Sequence, residues 1–242
     1  MFCPALWPLP SQAEWPFNSS VEVPLVIETP TCPVSALLLE APRPVAGYVL
    51  AHGAGAGMRH PFMADVAAAL AAVGVTTLRY QFPFMEAGSG RPDSPAVAAA
   101  TVRAAVDRAR GLLPGLPLVA GGKSFGGRMT STAAAEAALE GVRGLVFLGF
   151  PLHPPKRPAI TRGDHLDRVA VPMLFLQGTR DDLADLELIR SVGGRLGTRA
   201  TVHEITEANH AFAVPKRTGR TAADVIVEIA ATTAEWIRTL PR

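Results

Sequence analysis

The chain has 242 residues, of which 48% are hydrophobic and 18% charged, with a formal net charge of +2. That length and apolar share suit one globular domain with a substantial core. The charges are scattered, with no basic run interleaved with aromatics to hold nucleic acid, and no stretch reaches the roughly 18 uninterrupted apolar residues of a membrane span.

From the N-terminus, Met1-Phe2-Cys3-Pro4 lacks the basic segment of a secretory signal, and prolines interrupt any apolar run before Glu14. The chain therefore reads as cytoplasmic. Residues 1–18 read as an extended arm lying on the domain, anchored by Trp7, Trp15 and Phe17, and residues 19–242 as a single domain. Cys3 and Cys32 lie outside every motif and form no metal-ligand set. Reduced thiols are the simpler reading, with one disulfide left open. No metal and no cofactor is expected.

Val21 to Ile27 and Val34 to Glu40 read as opening antiparallel strands, and Val45 to Ala51 as a third strand. It runs into His52-Gly53-Ala54-Gly55-Ala56-Gly57, whose small residues let backbone amides approach a ligand closely. A helix is predicted over Pro61 to Val73, with Phe62, Val66, Leu70 and Val73 on one face and proline in the first turn. Val75 to Arg79 is a strand, Tyr80 to Met85 a loop whose aromatic rings read as packing ahead of a partly apolar pocket, and Pro95 to Leu113 a helix.

Leu116 to Gly121 is a short apolar strand leading into Gly122-Lys123-Ser124-Phe125-Gly126, which fits G-x-S-x-G. The Ala-rich segment from Met129 to Leu139 follows as a helix. Strand, tight turn and helix in that order make a nucleophile elbow, with the serine hydroxyl held out at a positive helix N-terminus. Two rival readings fail on spacing. A phosphate-binding loop needs glycine where Pro117 stands, and a dinucleotide fingerprint starting at Gly53 or Gly55 would need its third glycine at Met58 or His60.

Gly144 to Gly149 and Val171 to Leu176 are the next strands, separated by about twenty residues from Phe150 onward, too few for a large lid. The second ends in Gln177-Gly178-Thr179-Arg180-Asp181-Asp182, and a carboxylate just past a strand end suits a residue that orients a catalytic base. Asp181 is the candidate, with Asp182 and Asp185 as alternatives. Leu183 to Leu196 is a helix, Thr201 to Thr206 a strand, and Arg220 to Leu240 the last helix. Of six histidines, only His210 lies just beyond the last strand, where its loop can return over the sheet toward Ser124. The order Ser124, Asp181, His210 is a complete nucleophile, acid and base set. Backbone amides of Ala54 and Phe125 are the candidate oxyanion donors. His52 reads as a brace for the glycine-rich loop.

The alternation calls for an α/β domain with a mostly parallel central sheet flanked by helices. The His-Gly-Ala-Gly, Gly-Lys-Ser-Phe-Gly-Gly-Arg, Gln-Gly-Thr-Arg-Asp, Asn-His-Ala-Phe and Phe150-Pro151-Leu152-His153-Pro154-Pro155 segments together resemble the α/β-hydrolase superfamily. Within it they resemble the branch of bacterial dienelactone-hydrolase-like proteins, a testis-expressed hydrolase-like protein and a chromatin acetyltransferase complex subunit. The resemblance runs from Val45 to Trp236. It implies an α/β-hydrolase fold but specifies no substrate; the Ser124, Asp181 and His210 set itself points to a serine hydrolase cleaving carboxylic esters of small or medium acyl groups, and the short excursion after Phe150 to a site without a large lid domain. Serine stands where the dienelactone hydrolase motif carries cysteine, which argues against dienelactone as substrate. A thioesterase or peptidase would use the same residues, and the chromatin subunit implies a further alternative, a non-catalytic interaction module. The expected partner is a small acyl substrate, and a homo-oligomer is compatible with the sequence.

Overall fold

The computed structural model describes residues 21–241. The arm over 1–18, with Trp7, Trp15 and Phe17, and Cys3 with any disulfide it would make, lie outside the described residues. Eight strands form one sheet: β1 (Glu22–Ile27), β2 (Val34–Leu39), β3 (Ala46–Ala51), β4 (Val75–Tyr80), β5 (Leu118–Lys123), β6 (Val142–Leu148), β7 (Met173–Gly178) and β8 (Ala200–Ile205). Their spatial order is β1-β2-β4-β3-β5-β6-β7-β8. The first two joins, β1 to β2 and β2 to β4, are antiparallel, and every other pair is parallel.

Helices cover both faces, as strands buried on both sides require. Helix α1 (Pro61–Ala72) and α6 (Ala222–Thr239) share one core with Tyr48, Val119 and Leu174. Helices α3 (Pro95–Leu112), α4 (Phe125–Glu136) and α5 (Leu186–Leu196) bury the other face against Val49, Ala120 and Phe147. A short α2 (Pro83–Glu86) lies between β4 and α3, in the segment read from sequence as a loop. Its Phe84, with Phe82 just before it, is buried, so these rings pack beneath the site and do not line an open pocket.

The helix starts follow side-chain chemistry. Thr221 and Asp224 make a reciprocal capping box at α6, and Ser94 with Pro95 opens α3. Asp185 caps α5 by accepting from the amides of Glu187 and Leu188, which is why that helix begins at Leu186 and not at Leu183. Other boundaries differ from the sequence expectation as well. Strand β5 runs beyond its expected end at Gly121 through Gly122 to Lys123, because these two residues are also paired in the sheet. Helix α4 begins directly after Ser124, four residues before Met129, and its chain turns extended at Ala137. The excursion between β6 and β7 contains a 3₁₀ helix over Thr161–Arg168 that packs on α4. No helix among the described residues is long and apolar enough to cross a membrane.

Candidate active site

Strand β5 lies in the middle of the sheet and delivers Ser124 at its C-terminal end. The approach is so tight that a Cβ on Gly122 would sit 2.1 Å from the carbonyl oxygen of Ala51 on β3, and one on Gly126 would sit 2.5 Å from that of His52. Only glycine fits either place. Ser124 itself has φ 48° and ψ −111°, an uncommon conformation for a residue with a side chain. Serine at a helix N-cap ordinarily accepts a hydrogen bond from the first turn. Here the side chain makes no such bond and turns to His210, whose Nε2 lies 2.9 Å from Ser124 Oγ.

His210 sits in the loop after β8, and that loop closes on itself. Asn209 Oδ1 accepts from the amides of Ala211 and Ala213, each at 3.0 Å, and the amide of Asn209 donates to the Ala213 carbonyl at 3.0 Å. Phe212, at φ 63°, stacks on Phe62 of α1 with ring centres 5.5 Å apart. The loop is thus fastened to the helix that covers its side of the sheet.

Asp181 follows β7. Its Oδ2 lies 2.7 Å from His210 Nδ1 and accepts from Gln177 Nε2 at 2.6 Å, while Oδ1 accepts from the amide of Leu183 at 2.8 Å. The carboxylate side chain is 0% exposed and the imidazole 21%. Gln177 is held in turn by the amide of Phe150, which donates to its Oε1 at 2.9 Å. A carboxylate on Nδ1 leaves Nε2 with its lone pair toward the serine. Of the alternative acids, Asp185 is occupied as the cap of α5 and Asp182 is exposed.

Gly53 passes directly beside the turn at Ser124, where a Cβ on it would fall 3.8 Å from that of Ser124, and Ala54 follows it. His52 is buried beneath them. Its Nδ1 donates to the Gly53 carbonyl at 2.7 Å, its Nε2 accepts from the amide of Phe82 at 3.0 Å, and its ring packs edge-on to that of Phe82. Burial pushes its pKa below the usual histidine range, so it stays neutral and acts as a brace. Phe125 is the first residue of α4, where the amide has no acceptor within the helix.

Two residues at the site lie within the resembling segments but have no role assigned from sequence. Gln177 reads there only as a polar residue at a strand end. Lys123 occupies a position that the G-x-S-x-G pattern leaves free, yet its Nζ donates to the backbone carbonyl of His210 at 2.7 Å. Among the described residues, no group of three or more His, Cys, Asp or Glu is arranged to hold a metal ion.

Several solved structures share this architecture. A lidless α/β serine hydrolase from Xanthomonas campestris is 22% identical, with a TM-score of 0.71 over 91% of this chain and 96% of its own. A dienelactone hydrolase from Anabaena variabilis is 21% identical, with a TM-score of 0.72 over 92% and 99%. Est1E from Butyrivibrio proteoclasticus, with ferulic acid bound, is 17% identical, with a TM-score of 0.69 over 89% and 100%. At these identities the likeness is one of fold. Residues 44–238 match the alpha/beta hydrolase domain family, and this chain belongs to that family.

Proposed function

We propose that the protein is a metal-independent serine hydrolase that cleaves carboxylic esters of small or medium acyl groups through an acyl-enzyme. The observation that carries this reading is the continuous hydrogen-bonded path from buried Asp181 through His210 to the hydroxyl of Ser124 on its elbow. In the reaction, His210 Nε2 takes the hydroxyl proton as Ser124 Oγ attacks the ester carbonyl carbon. Asp181 keeps the other imidazole proton on Nδ1 and stabilises the imidazolium that forms. The tetrahedral intermediate collapses when His210 returns its proton to the leaving alcohol. Water, deprotonated by the same histidine, then releases the carboxylic acid and restores Ser124.

The negative oxygen of each intermediate would be met by the amides of Ala54 and Phe125. The Phe125 amide lies at the open N-terminus of α4, where the helix dipole adds to its attraction. The direction of the Ala54 amide follows from the peptide plane. His52 Nδ1 holds the Gly53 carbonyl, and in a trans peptide the Ala54 N–H must point the opposite way. Loss of one such donor costs about 100- to 1000-fold in turnover. Serine hydrolases and esterases among the structures of like fold agree with this reading.

A fluorophosphonate probe tests it, with the adduct located by mass spectrometry beside Ser124→Ala and His210→Ala variants. The expected result is selective modification of Ser124, lost in both variants, together with hydrolysis of p-nitrophenyl esters. Well-folded protein that stays unmodified would overturn the reading and favour an interaction module on the same fold.

A further inference from the structure

Lys123 lies inside the cluster of groups that position His210. Besides its bond to the His210 carbonyl, its Nζ hangs over the Phe212 ring, 5.3 Å from the ring centre. A third neighbour is defined by a missing side chain. A Cβ on Gly149, which follows β6 at φ 69°, would fall 3.3 Å from Lys123 Nζ, 3.4 Å from Asp181 Oδ2 and 3.5 Å from His210 Nδ1. The ammonium and the Asp181–His210 bond therefore share the small space that this glycine leaves open.

Lys123 donates to a carbonyl here, not to the carboxylate, whose oxygens are taken by Gln177, Leu183 and His210. Burial pulls the lysine pKa down to about 8, with nearby Asp181 acting in the opposite direction. A cation kept in so unfavourable a place, with its stem running beside Gly53, calls for a role that a methionine could not fill.

We propose that Lys123 is a positioning residue for the hydrolytic reaction: it fastens the His210 backbone to the elbow and, through its charge, disfavours the protonated imidazole. The inference rests on the hydrolase reading above. It unites two functions in one side chain. The hydrogen bond ties the two separate segments that carry nucleophile and base, so their distance is set at both ends. The charge stands across the Gly149 gap from the imidazole that takes up the serine proton, where one cation opposes a second. The other charged groups near this loop face elsewhere. Glu207 is engaged by Arg180 at 3.4 Å and Arg217 at 2.6 Å on the exposed side, Asp182 is exposed, and His52 is neutral beneath the neighbouring loop.

The test compares Lys123→Met, which keeps the stem but loses charge and donor, with Lys123→Arg, which keeps both. Hydrolysis of p-nitrophenyl acetate is followed from about pH 5 to about pH 9, with thermal unfolding as the control for folding. In Lys123→Met, kcat is expected to fall about 10- to 100-fold with KM little changed. The acid limb of the profile is expected to move to higher pH by roughly half a unit or more, because removal of a nearby cation favours imidazolium. Lys123→Arg should restore most of the limb's position. Wild-type kcat and an unmoved limb in Lys123→Met would overturn the proposal, as would a loss of activity that merely follows the folded fraction. A second measurement stands apart from turnover: the pH midpoint of the imidazole resonances by NMR in a Ser124→Ala background, with and without Lys123→Met. Failure of the wild type to hydrolyse esters or take the phosphonate would defeat the hydrolase reading alone. An unmoved imidazole midpoint would defeat the role of the lysine.

Discussion

Ser124 meets His210 at 2.9 Å, and Ser131, two turns along α4, meets His165 at 2.7 Å, both through Nε2. The distances are alike, but the protons run in opposite directions. Asp181 holds Nδ1–H of His210, so Nε2 is free to accept from Ser124. The Ser131 hydroxyl already donates to the Arg128 carbonyl at 2.9 Å, so His165 must be the donor in its pair. Ser131 is buried within the helix, whereas Ser124 stands at its open end with a left-handed φ. Burial, with Arg128 and Arg168 nearby, pushes the pKa of His165 down to about 4. The second pair pins α4 to the Thr161–Arg168 helix, while the first carries the proposed nucleophile and its base. Proton direction, an orienting acid and access separate the two, and separation alone does not.

The sharpest way to break this contrast is to remove each hydroxyl. Ser124→Ala is expected to lower ester turnover about 10,000-fold or more, whereas Ser131→Ala should stay within about twofold. The latter should instead lose about 1–2 kcal/mol in urea unfolding, the usual range for a buried hydrogen-bonding group. Initial rates and mass-located adducts decide between them, and a phosphonate on Ser131 would reverse the assignment.

A somewhat smaller effect is expected from the acid. Asp181→Asn can present an amide N–H to His210 and select the wrong tautomer, so turnover should fall about 1,000- to 10,000-fold with the fold retained. The matching change at the other pair, His165→Gln, should leave turnover near wild type. Equal losses in steady-state kinetics would show that both pairs serve one reaction.

The smallest effect is on stability against pH. His165 has a folded-state pKa of about 4, below the ordinary 6.5, so the unfolded chain binds a proton that the folded chain refuses. Its contribution is intact above the ordinary value and declines as pH falls through the window toward about 4. The melting temperature of His165→Gln should therefore vary less across that window than that of the wild type. Parallel curves for the two proteins would mean that His165 is not held neutral.

Much of this was legible in the chain. Alternating strands and helices, the glycines around Ser124, and polar residues at the ends of strands that β-branched and aliphatic runs define are all local signals. The boundaries that shifted did so for tertiary reasons. Gly122 looks like the start of the turn by composition but is held in β5 by Ala51 on β3 and Phe147 on β6. Leu183 and Ala184 look helical, but the α5 cap is Asp185, whose amide is itself held by His153 from the β6–β7 excursion. Phe82 and Phe84 read as packing ahead of pocket, and both rings are buried against Phe125 of α4.

The sequence by itself determined the order of elements, the tight turn at Ser124, and the candidates Ser124, Asp181 and His210, because periodicity, glycine sterics and position after a strand are properties of short segments. Only the tertiary structure decided which nitrogen faces which oxygen. It alone brought Lys123, Gly149 and Gln177 around the Asp181–His210 bond, and it alone separated the Ser131–His165 lock from the Ser124 site. Those outcomes depend on the register and facing of side chains from segments far apart in the chain, and such directions are set when the layers pack.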